Sequence, residues 1–553
     1  MPISIEEALS LHREGRLDEA AALYRKLLAD NPKYADALHL LGAVEFQRKN
    51  PQAAIAFIGE AIAIAPNTAA FHSNLGLALV ELNRLEEALA SYDRAVAIEP
   101  GFAQAHYNRG VALGLLKRLD EALASYNCAL AIMPDNADAL VNRGVALRDL
   151  DCFDEALASY ERALAIKPDS AEAFNNRGIA FGDLRRFGDA LTSYDRALAI
   201  RPDYAEALNN RGVALAALKC VDEAISSYSR ALAIKPDYAE AFYNRGMARL
   251  LAGDYREGWA DYEWRLQSAA RPTKPPKATA PEWQGENIDG RSILVCIEQG
   301  LGDIIQFARY VPLLIGRGAK VAFYAPAKLI RLLRPLSPHI EFISVVEAPR
   351  SFDFTCALMS LPRLLGTDSG SIPNDIPYLQ PEAHLAARWK QVIGETGFRI
   401  GIVWQGNPNI SLDKGRSFLL SEIAPLSRLP GVRLISLQKH HGLDQMTRIP
   451  AGSSVETLGD EFDSGPDAFV DAAAAMAHLD LIITADTSMA HLAGALGRPA
   501  WVALQHVPDW RWLLDRDDSP WYPTLRLFRQ QNAGDWKSVF SAMERKLRQM
   551  LGR

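Results

Sequence analysis

The sequence predicts an α superhelix followed by an α/β region of two Rossmann-like lobes. Three observations carry this. A glycine recurs every 34 residues through the first half: Gly42, Gly76, Gly110, Gly144, Gly178, Gly212 and Gly246. A proline keeps the same period, at Pro32, Pro66, Pro100, Pro134, Pro168, Pro202 and Pro236. After residue 290 the period stops, and β-type apolar runs alternate with helical patterns, the order that builds parallel sheets.

A chain of 553 residues has room for about three or four domains. Its 49% hydrophobic and 23% charged content is that of globular proteins. No apolar run reaches the roughly 18–20 residues that cross a bilayer. The start, MPISIEEALSLHREG, is acidic and amphipathic and lacks the basic, then apolar, pattern of a secretory signal. A net charge of −7 argues against wholesale nucleic-acid binding. Cys128, Cys152, Cys220, Cys296 and Cys356 are scattered, which fits neither a zinc site nor a disulfide framework and is expected in a reducing cytoplasm.

Within one period, Ala69–Phe102, apolar residues fall at helix-packing positions (Leu75, Ala78, Leu79, Ala88, Leu89, Tyr92, Ala95). The small Gly76 lets two helices approach, Asn83 and Arg84 fill the turn, and Glu86 and Glu87 open the second helix, where acid suits the dipole. NRG-x-A-L, DEALASY and RALAI-x-PD return in later units, and the units as a whole begin near residues 1, 35, 69, 103, 137, 171, 205 and 239. The first unit (Ala8 in place of glycine) and the last (Gly258 and Trp259) depart from the pattern, as capping units do. These segments resemble the tetratricopeptide repeat over about residues 1–268.

One column is polar: Asn74, Asn108, Asn142, Asn176, Asn210 and Asn244. An amide donates and accepts, so such a ladder can pair with an extended backbone of any sequence. The half resembles the repeat arm of the eukaryotic O-GlcNAc transferases, in which an asparagine ladder holds the substrate polypeptide. Asparagine is also ordinary consensus at this slot, and both readings stand here. Arg109, Arg143, Arg177, Arg211 and Arg245 beside it are expected to join neighbouring repeats.

Residues 269–290 are rich in proline and read as a linker. Strands follow at Ser292–Glu298, Lys320–Tyr324, Ile340–Val346 and Phe354–Leu358, then at Arg399–Trp404, Val432–Leu437, Leu481–Ala485 and Ala500–Leu504. An amphipathic helix at 382–395 separates the sets, so lobes are expected at 291–381 and 382–553, with ligands at the carboxyl ends of the strands. Two motifs lie there. EQGLGD, Glu298–Asp303, makes a strand-to-helix turn leading into a helix at 304–316. Ile305 stands where a dinucleotide fingerprint needs its third glycine. Asp303 is either a helix cap or a reactive carboxylate, and Glu298 is the rival. ADTSMAHLAGALGRP, Ala485–Pro499, places Asp486, Thr487, Ser488 and His491 around a helix start, where backbone amides can cradle phosphate or simply be capped. His440-His441 reads as a loop feature.

Together the motifs resemble the bacterial lipopolysaccharide heptosyltransferases (ADP-heptose transferases), over about residues 291–553. That family carries L/M-G-D after its first strand and D-T-G-x-x-H-L-x-A-A-L near its end. This chain reads LGD at Leu301–Asp303 and DTSMAHLAGAL at Asp486–Leu496, with Ser488 in place of glycine. The resemblance implies the two-lobed B-type glycosyltransferase fold and no metal or resident cofactor, with a nucleotide-diphosphate sugar as co-substrate. It assigns Asp303 as general base on a turn with Gly300 and Gly302 near the acceptor, and Asp486, Thr487, Ser488 and His491 to the donor. Lys414 or Arg416 would bind phosphate. The expectation is a cytoplasmic bacterial glycosyltransferase, hexosyl or heptosyl, inverting at the anomeric carbon, with a polypeptide acceptor on the repeats. Its alternatives are a lipid-linked saccharide acceptor and a non-catalytic interaction scaffold.

Overall fold

The computed structural model describes residues 4–267, 280–344, 351–408 and 415–552. Packing divides the chain into two compact units, Met1–Ala214 and Leu215–Arg553. The sequence boundary at 268 marks where the period ends. The packing boundary falls earlier, so the second helix of the seventh repeat and all of the eighth lie in one unit with the α/β region.

In the first unit each repeat is a helix pair. Ala69–Glu81 pairs with Leu85–Ile98, and Ala137–Asp149 with Phe153–Ile166. The turn between partners puts one residue in the left-handed region at the same 34-residue interval: Lys49, Asn83, Lys117, Asp151 and Arg185, with φ between 56° and 62°. The glycine column has a packing cause. A Cβ on Gly144 would stand 2.5 Å from Cε1 of Tyr160, a wholly buried ring of the partner helix. The arginine column joins repeats as expected. Arg109 Nε donates to Asp93 of the preceding repeat at 2.6 Å and Nη1 to Ser125 of its own at 2.6 Å. Arg143 meets Asn127 and Ser159 in the same way, and Arg211 meets Asp195.

The second unit opens with the helix Val221–Ile234, then the eighth repeat, Ala239–Leu251 and Tyr255–Tyr262. Two parallel sheets follow. The first holds β1 (Ser292–Cys296), β2 (Lys320–Tyr324), β3 (Glu341–Ile343) and β4 (Phe354–Ala357), in the order β3-β2-β1-β4. The second holds β5 (Phe398–Val403), β6 (Val432–Ser436), β7 (Glu456–Thr457), β8 (Leu481–Ala485), β9 (Ala500–Leu504) and β10 (Leu525–Arg529), in the order β10-β9-β8-β5-β6-β7. Chain order reverses between β1 and β4 in one sheet and between β5 and β8 in the other. The core of the second sheet gathers Ile400, Ile402, Leu434, Leu481, Ile483 and Met543.

Three expectations are corrected. The helix 304–316 starts earlier and is broken, into Leu301–Phe307, a 3-10 turn at Ala308–Tyr310, and Val311–Gly316. Pro312, at the start of the second piece, has no N–H to continue the ladder. The strands β7 and β10 were not foreseen. The eighth repeat, read as a capping unit, ends in a buried face: Trp259 and Tyr262 are 2% and 1% exposed. Trp259 packs edge-on against Trp510 at 5.2 Å, Phe307 at 6.4 Å and Trp521 at 6.5 Å.

Candidate functional site

The two motifs, far apart in sequence, meet in space. The helix Leu301–Phe307 leaves β1 and the helix Ser488–Ala495 leaves β8, and their first turns pack together. A Cβ on Gly302 would stand 3.0 Å from His491 Cδ2 and 3.3 Å from Ser488 Oγ, so glycine is what lets the turns approach. Both lie at strand carboxyl ends, beside the points where strand order reverses.

Asp303 is the third residue of its helix. Its Oδ2 accepts from the Gly300 N–H at 2.9 Å, closing the helix start, so the capping role is real. Its Oδ1 accepts from Arg511 Nη2 at 2.5 Å. A carboxylate offers about four lone-pair sites, and the Asp303 side chain keeps 22% of its surface open, so a further hydroxyl has room to bind. Burial pushes its pKa up, against the neighbouring Arg511 guanidinium; Asp509 adds to the rise.

Arg511 reaches three acceptors. Nε donates to Gln306 Oε1 at 2.7 Å, Nη1 to Asp509 Oδ1 at 2.8 Å, and Nη2 to Asp303. On the far side, Arg416 Nη2 donates to the Asp486 carbonyl at 2.5 Å and lies 3.2 Å from its Oδ1. Burial pushes the Asp486 carboxyl up, opposed first by Arg416. Asp303, Arg511, Asp509, Arg416 and Asp486 thus form a cluster of alternating charge. Lys414, the other phosphate candidate, lies outside the described residues.

Thr487 caps its helix, its hydroxyl accepting from the Met489 N–H at 3.3 Å. Ser488, next in line, is half-buried. His491 is 5% exposed. It stacks on Trp512 at 5.5 Å, and its Nδ1 lies 3.2 Å from the Tyr522 hydroxyl. Burial, then the nearby Arg511, hold its pKa well below the usual imidazole value, so it is neutral at pH 7.

Glu298 does not join this cluster. It is 3% exposed, and its Oε2 accepts from Arg265 Nη2 at 2.9 Å and from the Met359 N–H at 3.3 Å. Arg265 also donates to Ser360 Oγ at 2.8 Å and to Glu263 at 2.7 Å. This buried pair ties β1 to the end of the eighth repeat, a structural task rather than that of a rival base. The adjacent Gln299 donates to the Tyr262 hydroxyl at 2.8 Å, so the last repeat holds the turn that carries Asp303.

Sequence reasoning missed Arg511, Asp509, Gln306, Trp512 and Tyr522. A signal existed: PDWRWLLDRDDSPWY, residues 508–522, interleaves aromatics with charges without helical or strand period.

The amide ladder forms only in part. In the first unit Asn74 Nδ2 donates to His39 Nε2 at 2.7 Å, Asn142 to the Tyr107 hydroxyl at 3.0 Å, and Asn210 to Asn175 Oδ1 at 3.1 Å. Each partner belongs to the preceding repeat. Asn108 is 6% exposed, and its Oδ1 accepts from Gln104 at 2.9 Å. Asn176 is half-buried, and in the second unit Asn244 lies on the helix Ala239–Leu251. Asn74, Asn142 and Asn210 therefore stitch neighbouring repeats together, whatever else they bind.

Tetratricopeptide repeat models match residues 11–77, 76–117, 103–136, 135–203 and 175–239, so this stretch of the chain is made of tetratricopeptide repeats. Protein FlbA of Caulobacter vibrioides is 24% identical over 320 residues, covering 54% of this chain and 53% of that protein. The chain thus spans about half the length of that curated relative. Among solved structures, YrrB, described as a TPR protein with an unusual peptide-binding site, is 26% identical and matches 34% of this chain and 96% of its own, with a TM-score of 0.29. A tetratricopeptide repeat protein of Parabacteroides merdae is 18% identical and matches 42% and 93%, with a TM-score of 0.38.

Proposed function

We propose that this protein is an inverting, metal-independent glycosyltransferase that moves a sugar from a nucleotide-diphosphate donor to a polypeptide bound by its repeats. The observation that carries the reading is the packing of the Gly300–Asp303 turn against the Ser488 helix start, with a carboxylate on one side and Arg416 on the other. The sheet orders support a B-type glycosyltransferase fold: β7-β6-β5-β8-β9-β10 follows a doubly wound plan that binds ligands where the order reverses.

In this reading the acceptor hydroxyl binds the open side of Asp303. Its oxygen bonds to the anomeric carbon while the bond from that carbon to the phosphate oxygen breaks. Asp303 takes the proton. The nucleotide diphosphate leaves with the electron pair, its charge met by Arg416 and by the positive dipole end at the start of helix Ser488–Ala495. Burial raises the pKa of Asp303, the direction in which a carboxylate becomes a stronger base.

The test is calorimetric titration with ADP, UDP and GDP, with and without EDTA, on the full chain and on Asp303→Asn. Binding of one diphosphate despite EDTA, retained in Asp303→Asn while transfer falls by about 10²–10⁴-fold, is the expected result. Failure of all three to bind refutes the transferase reading and leaves a scaffold. A requirement for magnesium refutes metal independence.

The inter-repeat pairing of Asn74, Asn142 and Asn210 favours a second reading, in which the acceptor is a lipid-linked saccharide and the repeats recruit proteins by other faces. Asn142, Asn176 and Asn210 changed together to alanine separate the two. Weakened transfer to polypeptides with small acceptors unaffected supports the first reading. Equal losses on both assign the ladder to the fold.

A further inference from the structure

Arg511 stands in no motif that the sequence singles out, yet its guanidinium is fixed on three sides. It is 6% exposed. Gln306, Asp509 and Asp303 each take one of its N–H groups, at 2.7, 2.8 and 2.5 Å. Its flat face lies 4.3 Å from the centre of the Trp510 ring and 5.6 Å from that of Phe307. Asp509 is itself fixed, its Oδ1 also accepting the Arg511 backbone N–H at 3.0 Å. The segment between β9 and β10 therefore carries a rigid cation, with its own anion behind it, against the carboxylate at the start of helix Leu301–Phe307.

We propose that Arg511 is the positioning residue of this site: it fixes the Asp303 carboxylate in orientation and charge, and Asp509, behind the guanidinium, sets how much of that cation Asp303 receives. The proposal rests on Asp303 being the reactive carboxylate of the reading above.

The geometry makes a prediction that mere packing does not. Asp303 faces Arg511, Asp509 and Arg416, and the hydroxyls of Tyr262 and Tyr243 from the eighth repeat. Removing the cation leaves a half-buried carboxylate without its counter-charge, which favours the protonated acid. Removing Asp509 takes away a repelling anion and releases more of the cation, which favours the ionised form. The two substitutions must move Asp303 in opposite directions.

Carbodiimide couples an amine to the protonated form of a carboxyl, so the pH at which Asp303 stops being labelled reports its ionisation. Labelling the full chain with carbodiimide and glycine ethyl ester from pH 4.5 to 7.5, read by fragment mass spectrometry of the peptide Ser292–Arg309, isolates this group. Glu298, held by Arg265 in the same peptide, is the internal control. The midpoint is expected to rise by about 1–3 units in Arg511→Met, to fall in Asp509→Asn, and to stay near the parent value in Arg511→Lys, which keeps the charge but not the fork. Movement in the same direction for Arg511→Met and Asp509→Asn, or none in either, overturns the proposal. Should Arg511→Met not fold, as judged by tryptophan fluorescence, Asp509→Asn decides alone: a fixed or raised midpoint overturns the proposal. Neither donor nor acceptor enters this experiment. Opposite shifts in a protein that binds no nucleotide diphosphate would therefore keep the positioning role while the transferase reading fell.

Discussion

Replacing Arg265 by methionine tests whether Glu298 is a structural anion and whether the eighth repeat is part of the α/β unit. Both charges are buried, at 6% and 3% exposure, and 2.9 Å apart. Removing one member of such a pair leaves the other uncompensated and costs about 3–5 kcal/mol. Glu298 would lose its buried cation while keeping the Met359 N–H at 3.3 Å, and Ser360 would lose the donor at 2.8 Å. Glu298→Leu should cost less, because Arg265 retains Glu263 at 2.7 Å and the Tyr262 carbonyl at 3.3 Å. The double variant Arg265→Met/Glu298→Leu should be more stable than Arg265→Met alone, since no buried charge is orphaned. The assay is built into the sequence: all 10 tryptophans, from Trp259 to Trp536, lie beyond residue 214, so tryptophan fluorescence follows the second unit alone. With a urea slope of about 3 kcal/mol/M, Arg265→Met should lower the fluorescence midpoint by about 1 M or more. A shift worth less than about 1 kcal/mol, or a double variant whose loss equals the sum of the singles, would refute the structural assignment of Glu298.

Three further outcomes are expected. His39 is held to about 4 by burial, below its unfolded value, so its stabilisation is present above about pH 6.5 and is lost as pH falls toward 4. Circular dichroism of the parent should show acid weakening of the helical signal, and His39→Gln should lessen it; an unchanged profile would count against a neutral His39 accepting from Asn74. Asp463 is pushed up to about 6 by burial and by Asp471. It therefore stabilises the second unit below about pH 4, and that stabilisation is lost as pH rises through 6. Fluorescence-monitored urea melts should show Asp463→Asn gaining on the parent between pH 4 and 7, and a constant difference across that range would exclude the titration. Gly144→Ala, with its Cβ 2.5 Å from Tyr160, should destabilise by about 1–3 kcal/mol. Gly59→Ala, inside the helix Pro51–Ile64 and facing open space, should stabilise by up to about 1 kcal/mol. Thermal melts by circular dichroism that rank these two the other way would refute the packing account of the glycine column.

The repeats were legible because each constraint is local and is written many times. The turn residue, the small residue and the partner ring recur at a fixed interval, and a departure in one copy does not hide the others. The two motifs of the α/β region were legible for a different reason. A glycine-containing turn and a capped helix start both have short-range chemistry, and both fall after apolar runs that read as strands. What the sequence hid was pairing over distance. The amide column is visible, and its partners, His39, Tyr107 and Asn175, share one slot of the repeat, but no single residue type marks that slot. Asp303 could be placed at a helix start, but nothing near it in sequence points to Arg511. Glu298 looked reactive because it precedes the turn, and only Arg265, from the end of the repeats, makes it a strut. The strand β10 escaped because its charged residues, Arg526 and Arg529, break the apolar run that marks β9.

The eighth repeat brings these points together. Departures from consensus at the end of a repeat array normally make a polar face for water. Here the opposite happens: the departures Gly258 and Trp259, with Tyr262 of the regular tyrosine column, form a buried face. That face packs against Trp510 and Trp521, whose segment also carries Arg511, and Tyr262 and Arg265 hold Gln299 and Glu298 at the turn that carries Asp303. The last repeat is thus fixed to both chain segments that meet at the carboxylate. A change at Trp259 should therefore be felt at the site, although it touches none of the polar groups there. A Trp259→Ala variant that kept a native Asp303 labelling midpoint would show that the repeat supports the unit without supporting the site.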